Sequence, residues 1–225
     1  MDTLHIANKL YSSWSMRPWV LMKELGLPFA EMMHPFGEPG YWNTFSPSGR
    51  VPCLHSEGVV VWESLAIVEF LAERHRGVWP ADATTRAWAR CAASEMHAGF
   101  QALRQYCSMH CGLRVKLHHT PELLQRDIDR VLQLWNEGLD RFGGPFLAGG
   151  RFTAVDAFYV PVAIRLENYC IPLIGPAATY KEKLLCLASV RSWIDAALRE
   201  PWVDDEHEQE VRNAGTVIED LRVRE

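Results

Sequence analysis

The sequence predicts an α/β domain followed by an all-α domain, and three observations carry that expectation. The first part of the chain reads strand, helix, strand and then strand, strand, helix, which builds a small mixed four-stranded sheet with helices on its faces. The segment RGVWPAD, residues 76–82, breaks this alternation and is the best domain boundary in the chain. Everything beyond it is helical in period. Two domains are therefore expected, over residues 1–76 and 83–225.

Taken in order, Leu4 to Asn8 is a short strand and YSSWSMRP is a hydroxyl-rich turn ending in Pro18, a residue suited to the first turn of a helix. Trp19, Leu21, Met22 and Leu25 mark the apolar face of that helix, and Gly26 closes it. Phe29 to Met33 is a second strand. Residues 34–50 form a long connection with one helical turn near Tyr41 to Phe45, and long connections in compact domains are usually functional. Cys53 to Ser56 and Val59 to Trp62 pair across Glu57-Gly58, and a helix from Ser64 to about His75 covers the sheet.

The second part opens with an expected long helix from about Thr84 to Leu113, free of proline. A second helix runs from Pro121 to about Arg141 and is stopped by Gly143-Gly144-Pro145. FTAVD, residues 152–156, opens a third with a capping box between Thr153 and Asp156, and its near-complete apolarity places it at the domain centre. Tyr180 to Leu198 is the fourth. The acidic stretch Asp204 to Glu210 reads as the start of a solvated tail.

Composition narrows the function. With 225 residues the chain can bury a sizeable core, and 23 basic against 28 acidic residues give a net charge of −5 with no basic stripe, which argues against nucleic acid. No signal peptide follows Met1, and the longest apolar run, near Ala157 to Ile164, is too short for a bilayer; a soluble, cytoplasmic protein is expected, with no membrane partner. The six cysteines form no CxxC pair. Cys107 and Cys111 lie four apart on the predicted helix, where a redox pair competes with the simpler reading as buried core thiols. His118-His119 lacks a carboxylate at ligand spacing and is set aside as a metal site; no metal is expected.

Two stretches can do chemistry. Ser12, Ser13 and Ser15 precede a helix N-terminus, whose dipole amounts to roughly +0.5 of a charge, and a hydroxyl donor there can draw a bound thiol towards thiolate. The same serines also suit plain turn chemistry and a helix cap. Downstream, Pro52 at the head of Cys53-Leu54 suits a cis bond that turns the Val51 backbone outward as a peptide template. Glu63-Ser64 opens a helix at which free N–H groups favour a carboxylate, although acid capping alone accounts for the pair.

YSSWSMRPW, SPSGRVPCL, WESLAIVEFL and FTAVDAF, in that order, resemble the cytosolic glutathione transferases, nearest to the serine-type zeta (maleylacetoacetate isomerase-like) class. The resemblance implies a thioredoxin-like N-terminal domain, an all-helical C-terminal domain and a symmetric homodimer that binds reduced glutathione, of the kind used in detoxification. By position it makes Ser12 the donor to the glutathione thiolate, with Ser13 as runner-up. Val51, in a cis-proline turn with Pro52, would pair with the cysteinyl part, and Glu63 and Ser64 would hold the γ-glutamyl amine and carboxylate. Gln101 would reach glutathione across the dimer, and Ser15, Arg17 and Arg50 complete the set. Thr153 and Asp156 match the family's folding box.

The zeta pattern has cysteine where this chain has Trp14, and its isomerase arginine aligns with Asn168, one turn after Arg165. The electrophile pocket is expected between the serine turn and the long helix, from Trp14, His97, Arg104, Tyr106, Arg165 and Tyr169. The primary expectation is transfer of glutathione to an electrophilic small molecule. Isomerisation of a maleyl-type diacid, with Arg17, Arg104 and Arg165 as the available cations, and a non-catalytic binding or regulatory protein of the same fold are the alternatives.

Overall fold

A computed structural model describes residues 1–37 and 40–223. The middle of the predicted 34–50 connection and the last two residues of the predicted helical domain lie outside the described residues. Strand β1 (Asp2–Ile6) leads through α1 (Ser13–Glu24) to β2 (Phe29–Met33), then to β3 (Cys53–Ser56), β4 (Val59–Trp62) and α2 (Ser64–Arg74). The sheet order is β2-β1-β3-β4, with β1 and β2 parallel and the other two pairings antiparallel. This is the mixed sheet that the element order predicts, in the thioredoxin-like arrangement that the resemblance implies. Glu57 and Gly58, both at positive φ (49° and 84°), make the two-residue turn between β3 and β4, a primed turn whose twist matches the strands. The Val51–Pro52 peptide is cis. Helix α1 begins at Ser13, so Pro18 sits inside it rather than in its first turn.

The helical part comprises α3 (Ala83–Ala98), α4 (Gln101–Tyr106), α5 (Glu122–Phe142), α6 (Ala154–Asn168), α7 (Gly175–Leu185), α8 (Ala188–Ala197) and α9 (Asp205–Ala214). It also holds a two-stranded antiparallel sheet, β5 (Leu113–Leu117) with β6 (Gly215–Asp220). Three expectations change here. The predicted helix over 84–113 breaks at Gly99 and Phe100, the latter at φ 57°. Arg104 supplies the reason: its guanidinium donates to the carbonyls of Met96, His97 and Gly99, satisfying the end of α3, while Asp127 accepts the Leu103 N–H inside α4. The run Leu113-Arg114-Val115-Lys116-Leu117 alternates buried and more exposed residues, a period of two that belongs to a strand.

The fourth predicted helix is likewise two. The chain turns at Cys186-Leu187 so that α8 can pack on α1, where the Trp193 indole donates to Lys9 O at 2.9 Å and its ring meets Trp19 at 5.2 Å. The third change concerns the tail. Residues 205–220 form α9 and β6 and fold back on the molecule, and Gly215 permits the approach: a Cβ there would lie 2.4 Å from Lys116 O.

Helix α6 is the centre, packed on α1, α3 and α7 and buried at every position except Glu167. Its capping box is present as predicted. Asp156, fully buried, accepts from the backbone N–H groups of Thr153 (2.9 Å) and Leu147 (3.0 Å) and from the Tyr180 hydroxyl (2.8 Å). Burial raises its carboxyl to about 6 against the opposing pull of these bonds. Asp156→Ala removes a cap and strands three buried donors, so we expect a loss of about 3 kcal/mol in denaturant unfolding. Asp156→Asn, which keeps an acceptor for only part of the set, should lose less.

Candidate functional site

The N-terminus of α1 is set by Ser12, whose Oγ accepts from Ser15 N–H at 3.4 Å and donates to Ser15 Oγ at 2.8 Å. Ser15 Oγ in turn accepts from the Ala7 N–H at 3.2 Å, so the turn is fastened to the end of β1. Ser13 Oγ instead accepts from Arg165 Nη2 at 3.3 Å, and Arg165 also donates to Cys107 O (2.8 Å) and Pro161 O (3.3 Å). Ser12, Ser13, Arg104 and Arg165 border one cavity of about 370 Å³, together with Tyr11, Trp14 and His207. Arg50 and Val51 border it as well. A second cavity of about 430 Å³ runs from Trp14, Arg50 and Val51 to Trp62 and Glu63. Trp14, Arg50 and Val51 belong to both, so the two spaces adjoin at those residues.

Positive charge dominates this region. Arg17 is fully buried between the rings of Trp14 (4.1 Å) and Phe158 (5.0 Å), and its guanidinium nitrogens have no hydrogen-bond partner among the described residues. Burial, then the charges of Arg104 and Arg165, push its pKa well down, while Glu63 pulls the other way. Arg165 is lowered to about 10 by burial and by Arg104. Arg104 lies 4.7 Å from the Trp14 ring. Glu63 makes an ion pair of 2.8 Å with His97, whose pKa burial lowers. Beside it the Ser64 hydroxyl is buried with no partner among the described residues, at the first residue of α2.

Of the residues expected in the electrophile pocket, Trp14, Arg104 and Arg165 border the first cavity. His97, Tyr106 and Tyr169 do not. His97 stands edge-on behind Trp14, Tyr106 meets His119, and the Tyr169 hydroxyl donates to Ser108 O. Asn168 is turned to Arg114 and His110 O, so Arg165 is the residue of that helix at the cavity. Ser48, Arg50, Val51, Pro52 and Glu63 border the second cavity. Ser15 and Arg17 are interior, and exposed Gln101 caps α3 through Ala98 O. Cys107 and Cys111 are buried in the segment after α4, with thiols raised to about 12 by burial, which makes them core groups.

Comparison with known proteins identifies the architecture. The description of the glutathione S-transferase N-terminal domain matches residues 11–74 and that of the C-terminal domain matches residues 87–196. The chain belongs to the glutathione S-transferase family. A curated relative, the glutathione S-transferase-like protein OpS6 of Beauveria bassiana (strain ARSEF 2860), is 25% identical over 193 residues, covering 77% of this chain and 85% of the relative. Among solved structures, a glutathione transferase homolog from Burkholderia gl BGR1 with bound glutathione is similar at TM-score 0.65 and 23% identity, over 87% of this chain and 97% of that one. Glutathione transferase Omega 3C from Trametes versicolor gives 0.67 and 18%, over 94% and 91%. Ure2p in complex with glutathione gives 0.64 and 15%, over 86% and 93%. These likenesses establish the shared fold.

In this glutathione S-transferase family member two further clusters hold the cavities in place. Under the 41–50 segment, His5 Nδ1 and His34 Nε2 lie 2.8 Å apart, Phe45 stacks on both rings, and His55 Nε2 donates to Phe45 O at 2.7 Å. On the far wall, Glu208 of α9 is buried and accepts at Oε1 from the Tyr11 hydroxyl (2.9 Å), His110 Nε2 (2.8 Å) and Arg222 Nη1 (2.8 Å). Sequence reasoning missed Tyr11, Phe36, Trp42 and His207 as cavity residues. A signal existed for His207: Asp204 three residues before it is a helix N-cap.

The clusters respond to acid differently. Burial, then His55 and His34, lower the His5 pKa from 6.5 to about 4, so the fold prefers neutral imidazole. Stability is full above about pH 6.5 and falls as pH drops towards 4; His5→Phe should flatten that decline in the melting temperature. Burial raises the Glu208 carboxyl, but hydrogen bonds and charge from His110, Tyr11 and Arg222 outweigh it and hold the group at about 2. Its contribution is therefore full above the ordinary carboxylate range and is lost as pH falls through 2. Glu208→Ala strands the buried Tyr11 and His110 donors and takes one carboxylate from Arg222, and we expect a cost of about 3 kcal/mol with faster hydrogen exchange across 205–220.

Proposed function

We propose that this chain is a serine-type glutathione transferase that binds reduced glutathione along the second cavity and presents its thiolate to an electrophile in the first. The observation that carries the reading is the junction itself: Val51, Arg50 and Trp14 border both spaces, and Ser12 and Ser13 open onto the one where an electrophile would sit. A tripeptide paired with the Val51 backbone would extend one end towards Glu63 and the buried Ser64 hydroxyl, which has no partner among the described residues, and bring its thiol to the serine turn. Structural neighbours that hold glutathione, the Burkholderia homolog and Ure2p among them, support the ligand.

The hydrogen bonds support Ser13 as the thiolate donor over Ser12. Ser12 already spends its hydrogen on Ser15, whereas Ser13 receives an N–H from Arg165 and keeps its own hydrogen for a thiolate. Arg165 and Arg104 add favourable charge for an anionic sulfur. The gathering of Arg104 and Arg165 beside the serines also favours a second reading, glutathione-dependent cis-trans isomerisation of a diacid, since each cation can meet a carboxylate. A homodimer, with Gln101 serving the partner's glutathione, and a reducing cytoplasmic setting suited to six unpaired cysteines complete the proposal.

Retention on immobilised glutathione, followed by ultraviolet titration of the bound thiol, tests the binding half. A thiol that titrates unshifted would make this a binding protein without the activating machinery. In steady-state assays Ser13→Ala should lose roughly 10²-fold in rate, by analogy with other single donors to a developing anion, and Ser12→Ala less. The reverse order returns the role to Ser12.

A further inference from the structure

The cavity contains an acid–base group that the serine mechanism leaves unused. His207 borders the same space as Ser12, Ser13, Arg104 and Arg165 and comes from α9, the element the sequence presents as a tail. Its Nδ1 lies 2.7 Å from Asp204 Oδ1, and a carboxylate only accepts, so Nδ1 carries a hydrogen and Nε2 is the free nitrogen. Nε2 has no hydrogen-bond partner among the described residues, and the side chain keeps 27% of its surface exposed. The ring cannot turn freely. It is stacked on Tyr11 (5.0 Å) and lies 5.0 Å from Phe36, and its own backbone N–H also donates to Asp204 Oδ1 at 3.1 Å. The next residue, Glu208, fastens the helix to Tyr11, His110 and Arg222.

We propose that His207, oriented by Asp204, is a proton donor of this cavity, serving electrophiles whose reaction with a thiolate leaves a carbanion or enolate. The inference rests on the transferase reading and names its substrate class: activated alkenes conjugated to a carbonyl. The thiolate sulfur forms a bond to the β-carbon, the π pair moves onto the carbonyl oxygen, and Arg104 and Arg165 stabilise the enolate. Protonated His207 then delivers its Nε2 proton to the α-carbon, giving the neutral thioether and a neutral imidazole, which recovers through solvent the proton that the glutathione thiol released on forming the thiolate. An aryl halide needs none of this, because its negative charge leaves as halide. The charged and titratable groups around the imidazole are Asp204 at the head of its helix, Tyr11 beneath it, Glu208 and Arg222 behind Tyr11, and Arg50, Arg104 and Arg165 around the cavity.

The test compares methyl vinyl ketone with chlorodinitrobenzene on the full chain, with glutathione affinity measured alongside. His207→Phe keeps a ring to stack on Tyr11 and Phe36 but carries no nitrogen. The expected loss in kcat with the enone exceeds that with the aryl halide by about 10²-fold, in line with general acid catalysis. Asp204→Asn keeps a helix cap while removing the carboxylate that orients the ring, and should show the same selective loss with the enone by a smaller factor, which covers the case of an unstable His207→Phe. Equal losses with both substrates in both variants overturn the assignment while leaving the transferase reading intact. A wild-type chain that binds no glutathione overturns that reading and this inference with it.

Discussion

Arg165 is a charge that has been placed almost wholly out of water, at the edge of a cavity, and much of the site follows from how it is accommodated. Helix α6 is buried on nearly all sides, so a guanidinium in its last turn must be satisfied by whatever packs against it. It reaches the carbonyl of Cys107 after α4, the carbonyl of Pro161 in its own helix, and the hydroxyl of Ser13 at the start of α1. One side chain thus ties the centre of the helical part to the first turn of the sheet domain. The position of the serine turn is consequently set by the packing of α6, whose N-terminus is held in turn by Asp156.

The C-terminal segment supplies the opposite wall by a similar device. Glu208 is buried among a phenol, an imidazole and a guanidinium drawn from the α1 turn, the 107–112 segment and the chain beyond β6. These donors together keep it ionised where burial alone would neutralise it. Pairing of β6 with β5 brings Arg222 to that carboxylate, which holds α9, and with it the cavity residue His207, against Tyr11.

Local signals were legible and long-range ones were not. The hairpin turn at Glu57-Gly58, the capping box at Thr153 and Asp156, and the succession of the first strands and helices along the chain each depend on a few neighbouring residues, and the structure has them as read. The break at Gly99 depends on Arg104 folding back to cap α3, the turn at Cys186 on α8 finding α1, and the β5–β6 ribbon on two segments about a hundred residues apart. Residues 204–210 illustrate the limit most clearly. Their charge reads as solvation, and only the partners of Glu208, remote in sequence, make one of those acids a buried hub. Of the residues bordering the first cavity, Trp14, Arg104 and Arg165 could be named from a helix start, a helix face and the family resemblance, whereas Tyr11 and His207 meet only through tertiary packing.

The arginines near the serine turn show what kind of chemistry the cavity favours. Burial lowers the pKa of Arg17, Arg104 and Arg165, so keeping them has a cost in folding that apolar residues would avoid. Their compensation is mostly carbonyl oxygens and aromatic faces: α3 carbonyls for Arg104, Cys107 and Pro161 for Arg165, Trp14 and Phe158 for Arg17. Such partners solvate a cation without neutralising it. Glu63, the carboxylate that acts on Arg17, is shared with His97, and Asp127, the one that acts on Arg104, is shared with the Leu103 N–H. Net positive potential therefore survives in a partly enclosed space, where it acts more strongly than in water. A neutral, purely apolar guest would gain nothing from that arrangement, whereas a thiolate, a carboxylate or a developing enolate would be drawn to it, and the charge would already be in place before the reaction begins.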